Sequence, residues 1–174
     1  MNFFYRQLYN LPPRLLAYIA GALTIVQIGM AVLLFGRSPD AVEWAGWICI
    51  WVSAVFGWIP IITFRKKGGV PEGKSYVYTT LLVDSGIYAI VRHPQNGTAW
   101  LLINLGVMLI TWHWTTLMLG ILSMAVVYAD TFIADRRLIQ KFGGPYQSYI
   151  NRVPRVNFIL GIIRLLLRQP RTEE

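Results

Sequence analysis

The chain is poor in the residues that usually carry catalysis and cross-linking. Of its 174 residues one is cysteine, Cys49, and two are histidine, His93 and His113. A lone cysteine excludes an intrachain disulfide and a cysteine metal cluster. Two histidines assigned to opposite sides of a membrane do not make a zinc site, so no metal is expected. Charge is scarce too, at 14% of residues, with eight Asp and Glu against sixteen Lys and Arg and a formal net charge of +8. An excess of that sign can serve nucleic acid, but no recognition motif accompanies it. The expectation is no nucleic-acid partner, and basic residues that anchor the chain at anionic lipid headgroups.

What the chain has is apolar length: 55% of its residues are hydrophobic. The runs cover about 15–35, 42–64, 97–112 and 115–133. A bilayer-crossing helix needs roughly 17–25 mainly apolar residues, and lipid leaves the backbone no partner but itself, so these runs are expected to be helices. None alternates as a strand would. Every Lys and Arg except Arg37 falls on one side of the layout, which puts both termini in the cytoplasm. Trp44, Trp47, Trp112 and Trp114 fall at the opposite edges, where interfacial aromatics gather. The first run is too long for a cleaved signal peptide and lacks its small-residue site. The run 158–168 is too short to span, and its Arg164 and Arg168 suit an interfacial helix on the cytoplasmic leaflet; 169–174 reads as a polar tail. The expected fold is an all-α integral membrane protein: one domain over 1–174, four spans, and that interfacial helix.

The loop 65–80 contains Gly68-x-x-x-x-Gly73-Lys74-Ser75, a literal P-loop pattern. The pattern cradles phosphate only between a buried strand and a helix. Here a membrane helix precedes it and Pro71 removes one of the needed N–H groups, so nucleotide hydrolysis is not expected. Residues 81–97 are denser in polar and aromatic groups: Asp84, Tyr88, Arg92, His93, Gln95 and Asn96. Ionisable residues at a membrane boundary are costly unless paired or useful. Pro94 disfavours a helical His93, and bent backbone there frees polar groups for a ligand. Chemistry alone leaves two readings of Arg92 and His93: a polar site, or side chains that reach out to the headgroups. Gln27 and Asn104 read as interhelical hydrogen-bonding groups, and His113 as an interface residue.

Two blocks break that tie. Gly86-Ile87-Tyr88-Ala89-Ile90-Val91-Arg92-His93-Pro94 stands at the start of a span, and Leu138-Ile139-Gln140-Lys141-Phe142-Gly143-Gly144-Pro145-Tyr146-Gln147-Ser148-Tyr149 follows about fifty residues later. With Arg152-Val153-Pro154 they resemble the isoprenylcysteine carboxyl methyltransferase and phospholipid methyltransferase superfamily, over about 80–158. The resemblance implies a membrane enzyme that takes S-adenosylmethionine from the cytoplasm and a lipidic acceptor from the bilayer. It implies a cofactor pocket built from 80–96 and 130–149. Leu81, Leu82, Val83 and Tyr88 would line the cofactor, and His93, Pro94, Gln95 and Asn96 would wrap one end of it. Tyr146 and Tyr149 would close the pocket, while Arg92 and His93 position the cofactor or polarise the acceptor.

The chain departs from that family at two places. Where the family has paired acids there are Ala134 and Asp135, and where isoprenylcysteine enzymes place an Arg there is Asp130. A carboxylate cannot clamp a carboxylate, so Asp130 favours an ammonium headgroup, as on an aminophospholipid, over carboxyl methylation. The bland reading of Asp130 is a helix-end charge offset by Arg137 and solvent. Asp130 and Asp135 lie about 140° apart around a helix and cannot both face one ligand while it is unbroken. Asp130 and Asp135 are the residues expected to handle the acceptor's charge or proton, and Ala134 and Asp135 to border the cofactor. The other readings are an isoprenylcysteine-type carboxyl methyltransferase, an NADPH-dependent enzyme like the sterol reductases, and a non-catalytic lipid-binding membrane protein.

Overall fold

A computed structural model describes residues 12, 14–36 and 38–167. Arg6, Arg37, Arg168, Arg171 and the tail 169–174, which entered the charge and interface expectations, lie outside the described residues. Within them the chain forms seven α-helices and one π turn, with no strand. They are α1 (Leu15–Leu33), α2 (Asp40–Lys67), α3 (Ile87–Ile90), the π turn (Pro94–Ala99), α4 (Trp100–Thr111), α5 (Trp114–Phe142), α6 (Gly144–Arg152) and α7 (Phe158–Leu166). Three of these, α1, α2 and α5, are long and apolar enough to cross a membrane, the mark of a multi-pass integral membrane protein.

The ends of α2 follow its charges. Asp40 and Glu43 occupy its first turn and Arg65, Lys66 and Lys67 its last, each sign facing the helix-dipole end that stabilises it. The helix α5 begins at His113, whose ring accepts from the Thr115 N–H, and ends at Gly143 with φ 63°. Its apolar part matches the expected run, but it stays helical for a further two turns through Asp135, Arg136 and Arg137.

The third expected span differs from its forecast. Gly97 lies inside the π turn, and α4 proper has twelve residues, about 18 Å of rise against a hydrocarbon core of about 30 Å. The cause is Pro94, which lacks an N–H and opens the turn, so that Thr98 N donates to His93 O at 2.9 Å. Ser53 on α2 satisfies the Ala99 carbonyl at 2.7 Å.

Packing pairs α1 with α5 and α2 with α4, and α4 with α5. At the α2–α4 crossing, a Cβ on Gly46 would sit 2.8 Å from Gly106 O, and one on Gly106 would sit 2.8 Å from Gly46 O. Small residues let membrane helices approach this closely. On the other side, polar groups join α1, α4 and α5. Thr24 donates to Asn104 Oδ1 (3.1 Å), accepts from Trp100 Nε1 (3.0 Å) and lies 2.9 Å from Ser123 Oγ. Gln27 Nε2 donates to Asn104 O and Thr116 O, both at 3.1 Å. The loop 68–86 folds back on α2, with Thr80 and Leu81 N–H groups both on Gly68 O. No helix follows Ser75 directly, so the phosphate-cradling context is missing.

Replacing Gly46 with Leu would force α2 and α4 apart. The expected cost is about 1–3 kcal/mol, as for overpacked cores, read as a lowered midpoint of thermal unfolding in detergent. Gly57→Leu, where no heavy atom lies within 4 Å of a new Cβ, is the control expected to melt like the parent.

Candidate functional site

The site begins with backbone. Gly86 takes φ 64°, α3 makes a single turn, and from Val91 the chain is extended. That extended segment pairs with the chain after α6: Arg92 N donates to Pro154 O (3.0 Å) and His93 N to Arg155 O (3.1 Å). Thr98 Oγ1 adds a bond to Val156 O at 2.8 Å. Gly97 is required here, because a Cβ would meet Val156 at 2.6 Å and the His93 Cβ at 3.0 Å.

These pairings gather charge around one carboxylate. Asp135 Oδ1 lies 2.7 Å from His93 Nε2 and accepts from Tyr146 OH at 2.7 Å. Its Oδ2 accepts from Arg155 Nε (3.0 Å) and pairs with Arg155 Nη2 (2.9 Å), and Arg92 Nη2 is 3.4 Å away. The Arg155 guanidinium also lies 3.5 Å over the Phe132 ring. Both oxygens of Asp135 are therefore engaged. Arg92 is not satisfied in the same way: it is buried, yet its Nε and Nη1 have no hydrogen-bond partner. A buried guanidinium with spare donors is expensive unless an acceptor arrives.

Arg92 borders a cavity of about 690 Å³, within the roughly 300–1,000 Å³ of small-molecule sites. All the site residues expected from the sequence border it except Asp135, which sits behind His93 and Arg92. The five-residue offset on an unbroken α5 explains this: Asp130, Ala134, Arg137, Leu138 and Lys141 share the cavity face, and Asp135 does not. Asp130 makes no hydrogen bond with the described residues. The two expected blocks meet directly, since Tyr149 OH donates to Tyr88 O at 2.6 Å. Tyr88 stacks on Phe64 with centroids 4.6 Å apart, and Tyr146 meets Tyr149 edge-on. Burial pushes the phenols of Tyr88, Tyr146 and Tyr149 well above the usual tyrosine range, and the bond to Asp135 adds to this at Tyr146. All three stay protonated at any ordinary pH.

Four contributors escaped the sequence reading as site residues. Arg14, with Ala17 and Ala20, brings α1 to the cavity. Tyr76 borders it from the loop and exchanges hydrogen bonds with Gln95 at 3.2 and 3.3 Å. Lys141 reaches back to Thr79 O and pins that loop to α5. Arg155 holds Asp135 from the side away from the cavity. Lys141 was legible by helix arithmetic, eleven positions after Asp130. Arg155 carried no signal, being one of many cations expected on the same side of the membrane. His113 caps α5 and lies outside the site. Among the described residues no three His, Cys, Asp or Glu side chains cluster as a metal site. The chain matches no family model, no curated protein and no solved structure.

Removing the charge that holds Arg92 and Arg155 should be costly. Asp135→Ala leaves buried guanidinium without a counterion and is expected to destabilise by about 3–5 kcal/mol. Asp135→Asn, which keeps the shape, should lose less. Thermal unfolding in detergent checks both, and an Asp135→Ala protein that melts with the parent would remove Asp135 from its structural role.

Proposed function

We propose that the protein is an integral membrane methyltransferase using S-adenosylmethionine, with an amphiphilic acceptor of the aminophospholipid kind. The observation that carries the reading is the meeting of the two motif blocks across one cavity that holds both an unsatisfied guanidinium, Arg92, and a carboxylate, Asp130, that accepts no hydrogen bond from the described residues. The polypeptide is read with four spans, the third made of the π turn and α4. Both termini and the cavity are cytoplasmic, and α7 lies at the interface. The positive-inside distribution supports that orientation.

The donor set fits the cofactor. The spare N–H groups of Arg92 suit a carboxylate, and the faces of Tyr88, Phe64 and Tyr149 suit an adenine ring and a sulfonium. When bound, S-adenosylmethionine supplies an electrophilic methyl group. The protein's part is positioning and exclusion of water. Asp130 attracts the acceptor's ammonium group and takes its proton, which frees the nitrogen lone pair to attack. Asp135 takes no part in that exchange; it holds His93 and Arg92 in place at the cavity wall.

One observation favours a second reading. Arg14, Arg92, Arg137 and Lys141 outnumber Asp130 around the cavity, and a cationic lining also suits a phosphate-bearing cofactor such as NADPH.

Calorimetric titration of the detergent-solubilised chain with S-adenosylhomocysteine and with NADPH separates the two. The expected result is binding of S-adenosylhomocysteine alone, weakened roughly tenfold or more by Arg92→Gln, which removes a charge-assisted pair. Binding of NADPH alone overturns the methyltransferase reading, and binding of neither removes both. Asp130→Asn is expected to bind S-adenosylhomocysteine like the parent yet label aminophospholipids from methyl-labelled cofactor at least tenfold more slowly, the scale of a lost general base. Equal labelling would remove Asp130 from the chemistry. For the topology, Lys66→Cys in a Cys49→Ser background should react with an impermeant maleimide only from the cytoplasmic side. His113→Cys should react only from the opposite side, and any other pattern rejects the four-span layout.

A further inference from the structure

We infer that a second, smaller cavity behind Tyr149 is a binding site for the phosphate of an anionic phospholipid. It measures about 260 Å³ and lies between α3, the end of α6 and α7. Tyr149 borders both cavities, so the two are one side chain apart. The site is held in register by Gly161, the buried residue of α7: a Cβ there would sit 2.0 Å from Ile90 O. Only glycine lets α7 lie this close to α3.

Three charges line it: Arg152, Arg164 and Asp84. Arg152 Nη2 pairs with Asp84 Oδ2 at 3.2 Å, both side chains about half exposed. Arg164 makes no ion pair or hydrogen bond with the described residues. Two guanidinium groups against one carboxylate leave a single positive charge, which one phosphodiester neutralises with the paired N–H geometry arginine offers phosphate.

The surroundings make the occupant a lipid rather than a soluble phosphate. One turn either side of Arg164 stand the exposed Leu160 and Leu167, the latter 76% accessible, and the face of α7 turned from the cavity exposes Ile159, Ile163 and Leu166. Such a helix, with arginine at its polar edge, rests in the headgroup layer of a bilayer. A phospholipid seated with its phosphate between Arg152 and Arg164 lays its acyl chains along Leu160 and Leu167. The inference does not depend on methyl transfer.

Native mass spectrometry of the full chain in detergent, titrated with phosphatidylglycerol or phosphatidylcholine of equal chain length, tests it. The expected result is one saturable phosphatidylglycerol adduct. Arg164→Gln should weaken it roughly tenfold, the scale of a lost charge-assisted phosphate contact. Asp84→Asn, which releases Arg152, should strengthen it. Lys66→Gln, on the same side of the membrane but away from the cavity, should leave it unchanged. Arg164 is exposed, so its replacement should melt with the parent. Equal binding by Arg164→Gln and the parent overturns the assignment, as does an equal loss in Lys66→Gln, which makes the effect one of general charge. Inorganic phosphate that displaces the lipid at matched concentration overturns the lipid half and leaves a free-anion site.

Discussion

The buried carboxylate of Asp135 is the contact on which the end of the molecule around the large cavity depends. Three stretches of chain that are remote in sequence converge on it: Arg92 and His93 before the π turn, α5 itself, and Arg155 with Tyr146 from the C-terminal segment. The three also share an apolar core, in which Val91, Tyr146, Tyr149 and Val153 are buried and Leu138, Ile139 and Phe142 of α5 pack against them. What adds direction to that packing is one negative charge that the surrounding cations and donors require, together with the backbone bonds from Arg92 to Pro154 and from His93 to Arg155. A buried ion pair contributes little net stability compared with apolar packing, but it is intolerant of losing one member. That intolerance fixes register, and here it sets where the cavity wall stands.

The same logic separates structural from functional charge. Asp135 has every lone pair answered and faces away from the cavity. Arg92 has two donors unanswered, and Asp130, five residues before Asp135, accepts no hydrogen bond from the described residues and feels only the fields of Arg137 and His93. A buried polar group left unsatisfied calls for an explanation; Arg92 borders the large cavity, and Asp130, of opposite sign, borders it too, which favours a ligand between them.

Much of the fold was legible, and the reasons for what was not are local. Apolar length disclosed α1, α2 and the membrane part of α5, because burial in lipid leaves the backbone no other solution. It stopped at residue 133 because α5 continues through Asp135, Arg136 and Arg137, where helix pattern rather than hydropathy is the signal. The third run looked like a plain helix from Gly97 onward. Pro94 announced a break there but not its form, since a π turn depends on tertiary partners such as Ser53. The cavity residues on α5 followed from a 3.6-residue period once Asp130 was marked. Arg155 could not be found that way, because its role rests on a pairing between two extended segments with no periodicity to betray it.

The short α4 ties the fold to the site. On the proposed four-span topology, its twelve residues cover little more than half of the hydrocarbon depth. The remainder is taken up by the π turn and the extended residues before it, irregular backbone that lipid would not tolerate. They are tolerated because protein surrounds them: α2 supplies Ser53 to a carbonyl, the C-terminal segment supplies its own carbonyls to Arg92, His93 and Thr98, and Gly97 allows the approach. Irregular backbone at membrane depth is stable only where it is buried in protein or lines a polar cavity, and this segment does both. Bringing the cavity inward costs a regular helix end. In return, on the proposed function, a polar cofactor and the headgroup of a membrane lipid can reach the same few ångströms.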